Sequence, residues 1–344
     1  MIGIISDTHC HNWSMFSMTN EDGINSRLQI ILDQIAIAGN ALKDRGGKYL
    51  FHAGDLFHVR GSLAPSVLNP TLKVFQNLVS KGIAPVIVCG NHDAEFRDAN
   101  SLGSAIYAFR EIGCKVVEYP EVIEADGHRV LCLPWIANKQ DFLSAVKTFG
   151  GESDILVCHM ALDGVFSHIP ASQSVDYKDI FKQSKSLKAV FAGHLHKHQD
   201  LSLDPLVVSV GSICQHTWGD IGTKAGYVLY GDKYEFVESN APQFVELSEA
   251  TRHKVEGNYI RATIDECTAK ELTKYRETLY KHGARGVTII CKPKQILRTD
   301  RFEIKTSDSL ETIVDRYIKK TVQEPLRAEV AKKAQELLAG EFEV

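Results

Sequence analysis

Apolar and polar residues alternate in blocks along the first 240 or so positions. The apolar blocks IGII (2–5), KYLF (48–51), APVIVC (84–89), DILVC (154–158) and KAVFA (188–192) are nearly unbroken runs. Runs of that length suit strands covered on both faces. Between them apolar residues recur at helical spacing. Leu28, Ile31, Leu32, Ile35 and Leu42 predict a helix over 26–45, stopped by Gly46 and Gly47. Segments 66–80, 101–112 and 139–149 read the same way. Strands alternating with helices predict a layered α/β domain. Two segments depart from the alternation: 121–133 is a hairpin about Asp126-Gly127, and 225–238 another about Gly231-Asp232. The sheet is therefore mixed, and the alternation taken alone favours an open one.

The character changes over 240–256. NYIRATI (258–264) reads as a strand, 267–283 as a helix closed by Gly283, and 285–292 as a strand, one compact βαβ unit. Segment 307–322 follows with Ser307 or Asp308 as N-cap and Leu310, Ile313, Val314, Tyr317 and Ile318 on one stripe. Pro325 opens a last helix running to Gly340. The expected division is a body over 1–250, a small unit over 257–300 and helices over 307–340.

Composition narrows the class. Apolar residues make up 44% and charged residues 24% of 344, ordinary for a globular protein. No apolar stretch approaches the ~20 residues of a membrane span, and MIGIISDTHC lacks the basic and apolar regions of a signal peptide. No membrane association is expected. The eight cysteines include no CxxC pair, and Cys89 and Cys158 end apolar runs, which fits a reduced cytoplasmic setting. Net charge is −4, divided unevenly: residues 1–250 carry 20 Lys+Arg against 28 Asp+Glu, residues 251–344 carry 19 against 15. An acidic body with a basic tail part is compatible with metal in the first and a polyanion at the second, or with two solvated surfaces of different composition.

Each apolar block is followed by residues of metal-binding type: Asp7 and His9, Asp55, Asn91 and His92, His159, then His194 and His196. Ligand sites in α/β sheets lie beyond the carboxyl ends of strands, so these residues can converge. Carboxylate, imidazole and carboxamide form a borderline-hard donor set that suits Mn²⁺, Fe²⁺ or Zn²⁺ in high coordination better than a thiolate-rich structural zinc site. There are donors enough for two ions. Asp55, in a tight glycine turn, is the natural bridge. Two ions ~3.5–4 Å apart can place a nucleophile and grip a phosphoryl oxygen. His92 adjoins Asn91, and neighbours seldom share one ion, so it is better placed to contact the phosphate or protonate a leaving oxygen. Any one of these histidines alone is more often a satisfied structural residue; the ordered set is not. His11, His198 and His216 flank the motifs, as substrate contacts or solvated groups, whereas His52, His128, His168, His253 and His282 read as structural or exposed.

The ordered set DTH (7–9), GD (54–55), GNHD (90–93), CH (158–159) and GHLH (193–196) resembles the calcineurin-like metallophosphoesterase superfamily. That resemblance implies a β-sandwich flanked by helices instead of an open sheet. It also implies one ion on Asp7, His9, Asp55 and His196, a second on Asp55, Asn91, His159 and His194, and His92 as the phosphate-contacting acid. Manganese is the favoured metal, with Mg, Fe and Zn as alternatives.

Within that superfamily, GDLFHVR (54–60) followed by SLAPSVL (62–68), GHLHKHQ (193–199) and GSICQHTWGD with KAGYVLY (211–230) resemble the SbcD-like nuclease subunit of DNA double-strand-break repair complexes. Two features depart from it: no proline follows soon after GNHD, and the chain ends soon after its helices, as in a compact member of viral type. The resemblance implies a two-metal DNA exonuclease and endonuclease, a DNA-binding capping unit, C-terminal helices that dock on an SMC-like coiled-coil ATPase, a homodimer through 66–80 and 101–112, and a nucleoid-associated location. It gives His58 a place near the phosphate that aids exonuclease geometry without ligating metal; the plain alternative is an exposed loop histidine. Arg60, Lys292, Lys294, Arg298 and Arg301, with Lys305, become candidate phosphate contacts. The competing readings are a small-molecule phosphodiesterase or phosphatase on the same ligands, and a non-catalytic scaffold, against which the complete ligand set argues.

Overall fold

The computed structural model describes residues 1–95, 103–166, 173–265, 267–291 and 307–339. In chain order its elements are β1 (Ile2–Ile5), α1 (Ser26–Asp44), β2 (Tyr49–His52), α2 (Pro65–Ser80), β3 (Ala84–Val88), β4 (Lys115–Val117), β5 (Glu121–Ala125), β6 (His128–Leu133), α3 (Lys139–Phe149), β7 (Ile155–His159), α4 (Tyr177–Gln183), β8 (Ala189–Gly193), β9 (Gln199–Leu203), β10 (Leu206–Ser209), β11 (Gly226–Tyr230), β12 (Tyr234–Glu238), β13 (Phe244–Glu246), β14 (Tyr259–Ile264), α5 (Ala269–Lys281), β15 (Gly286–Cys291), α6 (Leu310–Thr321) and α7 (Arg327–Leu338). The chain falls into two compact units, 1–292 and 293–344.

Two six-stranded sheets form the body, ordered β12-β11-β1-β2-β3-β4 and β5-β6-β7-β8-β10-β9. Strands β1 to β4 run parallel in the first, and β6, β7, β8 and β10 in the second. The strands read as unbroken apolar runs because both faces are covered. Successive side chains point to opposite faces. Ile2, Ile4, Phe51, Val86 and Val88 meet Val130, Ile155, Val157, Phe191 and Val208 between the sheets. Their neighbours Leu50 and Ile87 face Leu28, Ile35 and Phe75 of α1 and α2, while Leu156 and Val190 face Phe142, Val146 and Ile180 of α3 and α4. The result is a sandwich with helices outside both sheets. An unbroken apolar run shows that both faces are covered but not by what, which is why the alternation favoured an open sheet.

Both expected hairpins form, and at the first Asp126 and Gly127 adopt the positive φ of 50° and 84° that an Asp-Gly turn provides. Over 103–112 only Tyr107–Ile112 is helical, as a 3₁₀ helix. Before it the backbone is engaged elsewhere: Glu95 N–H donates to Gly103 O and Ala105 N–H to Asp93 O. Three parallel strands, β13-β14-β15, carry α5 on the βαβ unit, with β13 contributed from ahead of residue 257. In the second unit α6 and α7 pair around Val314, Ile318, Ala331, Ala334 and Leu338. The N-cap of α6 is Ser309, whose hydroxyl accepts from Thr312 N–H; Asp308 pairs with Arg316 instead. Helix α7 begins at Arg327, two residues beyond Pro325. Six cysteines are buried. No helix among the described residues is long and apolar enough to cross a membrane.

Phe191 is fully buried between the sheets. Phe191→Ala is expected to cost about 3–5 kcal/mol of unfolding free energy, read as a lowered denaturant midpoint.

Candidate metal centre

The carboxyl ends of β1, β2, β3, β7 and β8 meet at one edge of the sandwich. There the β1–β2 pairing outlasts both strands. Asp7, His9 and Cys10 N–H donate to Gly54, Asp55 and Leu56 O at 3.0, 3.0 and 2.8 Å. The third motif is tied to the second by Asp93, whose carboxylate accepts from Gly90 N–H at 2.9 Å and Phe57 N–H at 3.0 Å. His92 N–H donates to Asp55 Oδ1 at 2.7 Å. The fifth motif closes on the first, since His194 N–H donates to Asp7 at 3.0 Å. This net holds Asp7, His9, Asp55 and His194 at φ of 48°, 43°, 57° and 88°, a region costly for residues with a Cβ. Close approach explains two glycines. A Cβ on Gly54 would strike the His159 ring, and one on Gly90 would strike Asp55.

Two donor clusters result. In one, Asp7, His9 and His196 lie together; in the other, Asp55, His159 and His194. Asn91 Oδ1 joins the second, 2.9 Å from both His159 Nε2 and His194 Nδ1. Asp55 stands between them, with Oδ2 3.7 Å from His9 Nε2 and Oδ1 3.4 Å from His159 Nε2. All seven sequence-predicted ligands are thus brought together.

The donor chemistry fits divalent cations. His159 Nδ1 lies 2.8 Å from Ala53 O, which can only accept, so Nδ1 carries a proton and Nε2 is the nitrogen turned into the site, toward Asn91 Oδ1. His196 Nδ1 lies 3.2 Å from Asp220 Oδ1, and its Nε2 faces His9 Nε2 at 3.0 Å. Ring nitrogens turned inward, with His159 and His196 each fixed by a partner behind the ring, are the arrangement a metal uses. Burial and mutual charge shift the groups of the site in opposite directions. Burial pushes Asp7 up. Burial also opposes charge on His159, yet Asp55 outweighs it and pushes that imidazole up to about 9. Burial would raise Asp55 as well, but His159, His9 and His92 hold it far below the usual carboxylate range. Burial lowers His194 to about 3 and drives His9 well down.

His92 and His58 sit beside the first cluster, with one ring nitrogen each of His9, His58 and His92 mutually within 4.8 Å. The two rings stack at 5.6 Å and 11°. His92 Nδ1 donates to His58 O at 2.6 Å, which leaves its Nε2 free. His58 is half-buried, and burial followed by His11 and His92 lowers it to about 4. Arg60 is half-buried, with its Nε unpartnered. Lys292, Lys294, Arg298, Arg301 and Lys305 lie outside the described residues.

The sequence reading missed two supporting residues, Asp220 and Trp13, and gave His216 a different role. Asp220 orients His196. His216 is fully buried and donates from Nε2 to Asp7 O at 2.9 Å, so it is neither a solvated nor a substrate-facing group. Trp13 donates from Nε1 to His9 O at 3.3 Å. A signal for Asp220 was present in T-x-x-D at 217–220, which forms a reciprocal capping box. His198 is structural: it stacks on Phe236 and meets Val210 O and the Tyr234 hydroxyl.

Residues 1–230 match the calcineurin-like phosphoesterase superfamily domain. The chain belongs to that superfamily. It is therefore a metal-dependent hydrolase by family, on a fold and a donor set that suit one. No curated protein matches the sequence. Among solved structures, a dimetal phosphatase from Danio rerio is similar at 11% identity and TM-score 0.42, covering 69% of this chain and 95% of that one. A protein of unknown function from Aquifex aeolicus is similar at 17% identity and TM-score 0.30, covering 57% and 79%. The nuclease MPE from Pseudomonas putida is similar at 14% identity and TM-score 0.30, covering 69% and 87%.

Asp220→Ala leaves His196 without its orienting partner. Its affinity for Mn²⁺ is expected to fall roughly 10- to 100-fold, measured by calorimetry. Unchanged affinity would remove Asp220 from the centre.

Proposed function

We propose that this phosphoesterase is an SbcD-type DNA nuclease, a manganese-dependent exonuclease and endonuclease that processes DNA ends with an SMC-like ATPase. Asp7, His9, Asp55 and His196 would hold one ion, and Asp55, Asn91, His159 and His194 the other. Such ions supply Lewis-acid stabilisation of the charge that develops on a phosphoryl group. The observation that most supports DNA as substrate is His58, the histidine of GDLFHVR. Its ring lies against His9 at 5.3 Å and His92 at 5.6 Å while seven other residues fill the two donor clusters.

The chain's own groups then divide the work. His92 is held from behind by the His58 carbonyl, so its Nε2 is the nitrogen left to meet substrate and to give a proton to the leaving oxygen. His58 borders that nitrogen and orients the diester. In this reading the β13–β15 module and the basic residues beyond it track the backbone. The α6–α7 pair docks on the ATPase, and two copies associate through α2 and the segment ending at Ile112. The setting is the cytoplasm, at the nucleoid.

End-labelled duplex and hairpin DNA with Mn²⁺ or Mg²⁺ tests this. Cleavage should vanish in Asp55→Ala and fall about 10²- to 10⁴-fold in His92→Ala. His58→Ala should keep both ions by calorimetry and lose exonuclease more than endonuclease activity. Inert DNA under every metal, with and without the ATPase, alongside rapid turnover of cyclic nucleotides or phosphoprotein, would replace the nuclease reading with a small-molecule one. Loss of metal in His58→Ala would make that residue a ligand.

A further inference from the structure

Arg27 lies in the first turn of α1, where Asn25 Oδ1 accepts from its backbone N–H at 3.0 Å. Its side chain is only 5% exposed. Burying a guanidinium is costly unless its donors are met, and Arg27 is met in an unusual way. Nη2 donates to His216 O at 2.6 Å and Nη1 to Met15 O at 3.4 Å. Around it stand three rings, Trp13 at 5.1 Å, Phe244 at 5.2 Å and Tyr259 at 5.4 Å. Trp13 belongs to the loop after β1. Phe244 and Tyr259 belong to β13 and β14. One cation is therefore shared between the body and the small sheet, through carbonyls and aromatic faces.

Two of these partners lead into the metal centre. His216, whose carbonyl Arg27 takes, donates to Asp7 O. Trp13, whose ring Arg27 covers, donates to His9 O. Trp13 and His216 also stack on each other at 5.4 Å and 13°. Asp7 and His9 are two of the residues held at positive φ, so their carbonyls need a fixed direction. Arg27 braces both of the groups that supply it.

We propose that Arg27 is a positioning residue that couples the β13–β15 module to the Asp7/His9 half of the metal centre through His216 and Trp13. The coupling rests on the reading that this half holds a divalent ion. It makes the module's seating a determinant of metal affinity and turnover, apart from any contact the module makes with substrate.

Mn²⁺ alone, titrated by calorimetry into the full chain, is the probe, with hydrolysis of bis(p-nitrophenyl) phosphate as a second readout. Arg27→Met keeps the stem and removes the cation. It should weaken one Mn²⁺ at least about tenfold, leave the other in place, and lower kcat more than it raises KM. Trp13→Phe keeps a ring and removes the donor to His9 O; it should weaken the same ion, and it carries the test if Arg27→Met does not fold. Phe244→Leu, on the module, should weaken that ion too, and its effect should be non-additive with Arg27→Met. Wild-type isotherms in Arg27→Met and Trp13→Phe, with only a lowered melting temperature, would overturn the coupling, as would strict additivity with Phe244→Leu. A wild-type chain that binds no Mn²⁺ would overturn the metal centre itself, and the coupling with it. DNA cleavage is not among the readouts, so failure of the nuclease reading leaves this test intact.

Discussion

A carboxylate only 2% exposed must be met on every side, and Asp55 is met from three other strand ends at once. His9 follows β1, His159 ends β7, and the His92 amide follows β3. Two of these strands belong to the first sheet and one to the second. The sandwich is what makes such convergence geometrically available, since a single open sheet would bring the ends of neighbouring strands together but not those of a facing layer. Asp55 is therefore the point at which the two layers share electrostatics, and the packing of Phe51 and Phe191 between the sheets fixes how far apart its partners stand.

Strain at the site is maintained by backbone pairing together with carboxylates bonded to backbone amides. Left-handed backbone at Asp7, His9, Asp55 and His194 costs of order 1–3 kcal/mol each. What holds it is the extension of the β1–β2 ladder through Cys10, the Asp93 clamp on Gly90 and Phe57, and the Asp7 carboxylate on the His194 amide. These bonds leave the imidazole lone pairs and carboxylate oxygens directed inward. The adjacent Asp55 pushes His159 toward the imidazolium, and a histidine binds metal only through an unprotonated nitrogen, so metal affinity and protonation are linked at such a position.

Much of this was legible in the sequence because both faces of the main strands are buried. Continuous apolar runs located β1, β2, β3, β7 and β8, and the polar residues following them located the donors. Elements with weaker patterns escaped. β4 has three residues, β9 (QDLSL) has no apolar run, and α4 has only seven residues. Segment 101–112 had helical spacing but spends part of its backbone on Asp93 and Glu95, a long-range competition that spacing cannot register. The sandwich itself came from resemblance, because apolar periodicity does not say whether a helix or a second sheet covers a face. The supporting residues were hardest to see. Asp220 and His216 lie in the loop between β10 and β11, 20 or more residues beyond the last motif, and only the fold brings them to His196 and Asp7.

Those supporting residues also change what the small sheet means. Read from the sequence, it was an appended βαβ unit with its own use. In the structure its strands β13 and β14 place Phe244 and Tyr259 against Arg27, and Trp218 of the Asp220 loop packs on Phe244 and under Arg261 of β14. The loops that carry Trp13, His216 and Asp220 are thus pinned between the module on one side and the ligands on the other. Both loops are long and lie mostly outside helices and strands. Aromatic and guanidinium packing substitutes for secondary structure there, and the direction of three ligand-supporting groups follows from how that packing is seated.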